Sequence, residues 1–125
     1  CIAFGIKDII DVVEKECGIT MDRINVDGGA SQNDLLLQML ADYCNAVVAR
    51  PDTLEATALG AALMAALTIG QIQLDDVKNA LKVDAVFTPK MDETVRKQRY
   101  EVWKEAVGRS LKWMKYGQDC SEEVV

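Results

Sequence analysis

The stretch Val26-Asp27-Gly28-Gly29-Ala30-Ser31-Gln32-Asn33 constrains the fold of this chain more than any other. A short apolar run, a glycine pair and a helix-start signal follow one another without a spare residue. Gly28 and Gly29 carry no Cβ, so the backbone can turn sharply there and a flat ligand can lie against it. Ser31 is a good N-cap, and Asp34, three residues on, resembles the acidic partner of a capping box. Upstream, Ile24 and Val26 alternate with Asn25 and Asp27, which predicts a short strand over 23–27. Downstream, Leu36, Leu37, Leu40 and Tyr43 mark a helix from Gln32 to about Cys44-Asn45. Ala46-Val47-Val48-Ala49 then reads as a second strand, stopped by Arg50-Pro51. Two strands joined by a crossover helix make one parallel βαβ unit, which sets the class as α/β. A strand ending in bare backbone that opens a helix is where such proteins often hold nucleotides.

The remaining segments read mainly as helices. Ile2, Ile6, Ile9, Ile10 and Val13 predict an amphipathic helix over 2–17, with Gly18 as its stop. Asp52 or Thr53 caps a third helix running to about Ile69. Ala56, Ala58, Gly60, Ala61, Ala62, Ala65 and Ala66 crowd it, so close burial against another helix or the sheet is expected. A plain alanine-rich helix is the alternative. Gly60 inside it costs about 1 kcal/mol against alanine. Gly70 stops that helix, a short one follows near 74–81, and an extended stretch leads to Pro89. A last helix spans 92–115, with Val95, Val102, Trp103, Ala106, Val107 and Met114 on its inward side. Residues 116–125 read as a flexible acidic tail. Two strands make a poor sheet on their own, so further strands are expected from a parent chain or a second copy.

Composition narrows the chemistry. No apolar run approaches the ~20 residues that span a bilayer, and no cationic, cleavable signal opens the chain. It begins at Cys1 inside a helical pattern without an initiator Met, as an excised piece would. The four cysteines lack Cys-x-x-Cys spacing and there is no histidine, which argues against a structural zinc site and against a histidine base. Such scattered cysteines read as reduced thiols of a cytoplasmic protein, though a Cys1 pairing stays open. A net charge of −6 argues against nucleic acid as the main partner. Between Asp92 and Lys115, seven cations nonetheless face four anions. That segment is either a solvated helix face laced with charge pairs or a basic docking face.

A second motif lies at the end of the second strand: Arg50-Pro51-Asp52-Thr53-Leu54-Glu55-Ala56-Thr57-Ala58-Leu59-Gly60-Ala61-Ala62. Taken with Val26–Asn33, in this order and at this separation, it resembles the FGGY carbohydrate kinases. The resemblance runs from the first helix to about Trp113 and includes Tyr100-Glu101-Val102-Trp103-Lys104-Glu105-Ala106-Val107. The D-G-G-A and R-P-x-x-x-E-x-T-A-L-G-A-A forms look like the branch acting on glycerol rather than the one acting on xylulose.

The resemblance implies a partial actin-like, ribonuclease-H-like ATPase domain with two short parallel strands and helices dominating. Residues 1–115 would be the C-terminal part of its nucleotide-binding domain. It further implies ATP in a cleft between two domains, with Gly29 and Asn33 touching the nucleotide and Gly28 and Ala30 shaping the backbone. The Asn33 amide can donate and accept hydrogen bonds, unless it merely faces water in a first helical turn. The intact family member would pass the γ-phosphoryl group of MgATP to a glycerol hydroxyl, giving glycerol 3-phosphate. The phosphate hairpin, the Mg²⁺-associated aspartate, the acceptor contacts and the aspartate that takes the hydroxyl proton precede this stretch in the family. No catalytic residue or metal ligand is therefore assigned here, and the chain alone is expected to be inactive. Asp27 reads as fixing loop geometry rather than as a catalytic carboxylate, Glu55 as a helix-cap partner, and Trp103 and Trp113 as core residues. Two alternatives stand: another acceptor such as xylulose or ribulose, and a non-catalytic nucleotide-binding or dimerising module. The open sheet edge points to a homo-oligomer, with neither nucleic acid nor membrane as partner.

Overall fold

A computed structural model of the chain describes residues 2–53, 55–80 and 82–111. The elements run α1 (Ile2–Cys17), β1 (Arg23–Asn25), a short 3₁₀ turn (Gly29–Gln32), α2 (Asp34–Cys44), β2 (Val47–Pro51), α3 (Ala56–Thr68), α4 (Leu74–Asn79), β3 (Val83–Phe87) and α5 (Glu93–Ser110). β1 and β2 pair in parallel, with Arg23, Ile24 and Asn25 opposite Val47, Val48 and Ala49. The expected βαβ unit is therefore present, with α2 as its crossover. Gly18 ends α1 in the left-handed region, at φ 65°, and its amide donates to the Glu14 carbonyl at 2.9 Å.

The sheet departs from expectation on its far side. β3 pairs antiparallel with β2, giving the order β1-β2-β3. The chain thus supplies one of the strands expected from elsewhere. The period-2 signal of Val83-Asp84-Ala85-Val86-Phe87 is blurred because Val83 and Val86, on opposite parities, are both exposed. β1 and β3 remain open edges among the described residues.

One face of the sheet carries the core. Leu37, Leu40 and Ala41 of α2 meet Val48 of β2, with Ile6, Ile24, Val26, Cys44 and Phe87 packed around them. From α1, Ala3 and Ile10 are buried, whereas Ile2 and Ile9 face outward, so the apolar stripe is narrower than the sequence suggested.

Contacts with α1 and α2 hold α5 in place by aromatic and polar groups rather than by valines. The Phe4 ring lies 4.2 Å from Tyr43 and 5.5 Å from Trp103, centroid to centroid. The Tyr100 hydroxyl donates toward Asp8 Oδ1 at 2.5 Å and Asp11 Oδ2 at 2.9 Å. Trp103 Nε1 donates to Asp8 Oδ2 at 2.8 Å. Burial, then these carboxylates, push the Tyr100 hydroxyl pKa far up, keeping it a donor. Trp103 is half-buried in this contact, whereas Val95, Val102 and Val107 are exposed, contrary to the inward side expected of them. The charges of α5 pair along the helix itself, Glu93 with Lys97, Glu101 with Lys104 and Glu105 with Arg109, as a solvated face would. Lys112, Trp113, Met114, Lys115, the tail 116–125, Cys1 and Cys120 lie outside the described residues.

The third helix needs the plainest correction. None of the described residues of α3 is buried, and an added Cβ at Gly60 would meet nothing within 4 Å. The helix is apolar on all sides, which suits burial, yet nothing described here covers it. Neither Asp52 nor Thr53 caps it. Glu55 holds the N-cap position without a side-chain cap bond, and Thr53 Oγ1 instead accepts from the Glu55 amide at 3.3 Å.

Two tests follow from this core. Leu40 is 2% exposed, so Leu40→Ala lowers the unfolding free energy by about 2–5 kcal/mol, whereas Val102→Ala stays within about 0.5 kcal/mol. Urea titrations of both variants check this. Burial also raises the Cys44 thiol from its ordinary 9.0 to about 11. Its contribution to stability is complete below pH 9 and is lost as pH rises toward 11, because the unfolded chain releases the proton first. Below pH 9, alkylation mapped by mass spectrometry finds the exposed Cys17 modified well before Cys44.

Candidate functional site

The bend after β1 is built around one glycine conformation. Gly28 sits at φ 81° and ψ 177°, a region open essentially to glycine alone. Its carbonyl accepts both the Ser31 amide at 3.1 Å and the Ser31 hydroxyl at 2.7 Å, which closes the 3₁₀ turn. Ser31 is thus buried inside the turn and does not cap α2. That role falls to Asn33, whose Oδ1 accepts from the Leu36 amide at 3.1 Å. The 3₁₀ turn moves the helix start to Asp34, and Asp34 turns to Arg50 instead of completing a capping box.

The four residues expected at the site are gathered on this one turn. Gly29, Ala30 and Asn33 are exposed and Gly28 is half-buried. Each glycine faces open space, since an added Cβ would meet nothing within 4 Å. Gly28 is required by its own backbone. Gly29 lacks a positive φ, so nothing in this fold requires a glycine there. With Oδ1 engaged as a cap, the NH₂ group of the exposed Asn33 is left as a donor without a partner among the described residues. Bare backbone, open space and an outward donor fit one side of a nucleoside. Asp27 lines a neighbouring cleft of about 360 Å³ with Arg23, Asn25, Ala49, Pro51 and Lys82.

A single arginine ties the turn to the sheet through contacts that carry no local sequence signal. Arg50 Nη1 donates to the Ser31 carbonyl at 3.0 Å and to Asp34 Oδ1 at 2.7 Å. Its Nε and Nη2 both reach Asp84 Oδ2, at 3.0 and 2.9 Å. The hydrogen bonds to these two carboxylates raise the guanidinium pKa further above its usual range. Arg50 was legible as a strand stop and as the head of the second motif but not as a tie, and Asp84 lies 34 residues away on an extended stretch whose pairing with β2 was not expected. Among the described residues, no group of three or more His, Cys, Asp or Glu side chains is arranged to hold a metal. No described helix is long and apolar enough to cross a membrane.

A strand, a glycine bend and a capped crossover helix make this an α/β segment with its bare turn at the strand end, where such folds often hold nucleotides. Comparison with known proteins agrees. The C-terminal domain of the FGGY family of carbohydrate kinases matches residues 1–69, and the chain belongs to that family. It is 43% identical over 114 residues to glycerol kinase 2 of Sulfolobus acidocaldarius, covering 90% of this chain and 23% of that protein. The crystal structure of Plasmodium falciparum glycerol kinase with ADP superposes with a TM-score of 0.80 at 36% identity, covering 90% of this chain and 23% of that one. Xylulose kinase from Lactobacillus acidophilus shares the fold, with a TM-score of 0.66 at 20% identity over 77% of this chain and 20% of that one. The chain therefore spans about a quarter of the length of the relatives it matches.

The two glycines separate in a stability experiment. Gly28→Ala costs roughly 1–3 kcal/mol through backbone strain, while Gly29→Ala is close to neutral. Asn33→Ala costs about 1 kcal/mol, and Asn33→Ser, which keeps a capping oxygen, restores most of it. Urea unfolding monitored by circular dichroism reads all four.

Proposed function

We propose that this chain forms the adenosine side of the ATP site in a kinase that phosphorylates glycerol. The observation that carries the reading is Gly29. It is a glycine that the local backbone does not need, facing open space beside an outward amide. A bare position of that kind suits close approach by a flat ligand. The likeness to glycerol kinases, one of them solved with ADP, supports both the nucleotide and the acceptor.

On this reading Gly28 sets the bend, Gly29 and Ala30 let the base and ribose lie against the backbone, and Asn33 donates from its NH₂ group. Bound ATP supplies the γ-phosphoryl group. This segment's part is to seat and orient the nucleotide, which counts because phosphoryl transfer depends largely on positioning and charge stabilisation. The Mg²⁺ site and the groups that orient and deprotonate the acceptor belong to other segments of the kinase. Glycerol is preferred over xylulose as acceptor because the glycerol kinases match at higher identity. The free thiols Cys17 and Cys44 suit a cytoplasmic setting, and the open edges of β1 and β3 favour self-association.

In the kinase polypeptide carrying this segment, Gly29→Leu raises KM for ATP roughly tenfold or more and leaves KM for glycerol unchanged. An unchanged KM for ATP refutes the assignment. The 125-residue chain alone hydrolyses no ATP in response to glycerol, and glycerol-dependent turnover by it would show that the reacting groups are here after all.

A further inference from the structure

The Arg50 network is out of proportion to the stability it can supply. Its guanidinium engages acceptors from three elements: Asp84 on β3, Asp34 at the start of α2, and the Ser31 carbonyl inside the 3₁₀ turn. The Arg50 side chain is 16% exposed, while those of Asp34 and Asp84 are 71% and 51% exposed. Ion pairs with partners so open to water contribute little to folding. What such a fork does well is fix geometry, since its N–H groups lie in one plane at set angles.

The strand register breaks beside the contact. Pairing of β2 with β3 passes from Arg50 opposite Ala85 to Pro51 opposite Val83, stepping over Asp84. This irregularity interrupts the regular alternation of β3 at the residue whose carboxylate meets Arg50. On the other side, the turn's own hydrogen bonds close locally on the Gly28 carbonyl. The Arg50 bond to Ser31 is what links that closed turn to the sheet.

We propose that Arg50, oriented by Asp84, is a positioning residue for nucleotide: it sets how far the Gly28–Ser31 backbone stands from the sheet, and so where Gly29 meets the ligand. The proposal rests on the nucleotide reading given above and adds a residue that touches no substrate. Lysine at position 50 keeps the charge but, as a point donor, cannot hold the Ser31 carbonyl and both carboxylates in one plane.

The test uses the kinase polypeptide carrying this segment, with Arg50→Lys, Asp84→Asn, the double variant and Gly29→Leu. Arg50→Lys is expected to raise KM for ATP roughly tenfold, with KM for glycerol and kcat within about twofold of the parent. Asp84→Asn moves KM for ATP in the same direction by less, and the double variant is no worse than Arg50→Lys, because both act through one network. Melting temperatures of the variants should stay close to the parent's. If Arg50→Lys does not fold, Asp84→Asn carries the test alone. KM values for ATP and glycerol rising together, or activity falling only in step with thermal stability, overturn the proposal. A raised KM for ATP in Gly29→Leu but not in Arg50→Lys or Asp84→Asn refutes the positioning role and spares the nucleotide site. No change in Gly29→Leu refutes the site itself.

Discussion

The guanidinium of Arg50 is the point where oxygens from three elements of this fold meet. The turn after β1, the first residue of α2 and the antiparallel strand β3 each place an oxygen on the same planar group. The Phe87 ring, 5.9 Å from the guanidinium carbon, gives it an apolar backing. The parallel pair β1-β2 fixes direction, and the core beneath α2 fixes depth. Arg50 fixes the remaining freedom, the height of the bend above the strand ends.

How much of this was legible in the sequence depended on whether the controlling contact was local. The bounds of α1 and the presence of the parallel pair and crossover helix follow from periodicity, while the ends of α1 and α3 and the bend after β1 follow from Gly18, Gly70 and Gly28, whose positive φ angles need glycine. The turn that gathers Gly28, Gly29, Ala30 and Asn33 was legible because these residues are consecutive or nearly so. Ser31 was misread because two hydrogen bonds to Gly28 outcompete a cap, and a serine can serve either purpose. Asp84 was invisible because its significance lies in a register step that no spacing reveals. The inward valines of α5 were misassigned because Asp8 recruits Tyr100 and Trp103 from far along the chain.

The architecture is lopsided in a consistent way. The helices α1 and α2 cover one face of the sheet with a packed core, while α3, made almost wholly of small and apolar residues, carries no buried position. The Asp27 cleft opens beside Ala56, the first residue of that helix. The Asp27 cleft and the unfilled apolar surface of α3 therefore lie side by side.

The clasp at Asp8 has a bearing on how the chain acquires its shape. One carboxylate in α1 receives hydrogen bonds from residues 92 and 95 positions later, so nearly the whole described sequence must be traversed before that contact closes. Closing so long a loop carries an entropic cost that the local βαβ unit does not face. On a ribosome, α1, the bend and α2 can assemble while α5 is still unmade, and its arrival draws the beginning and end of the segment into a single seam.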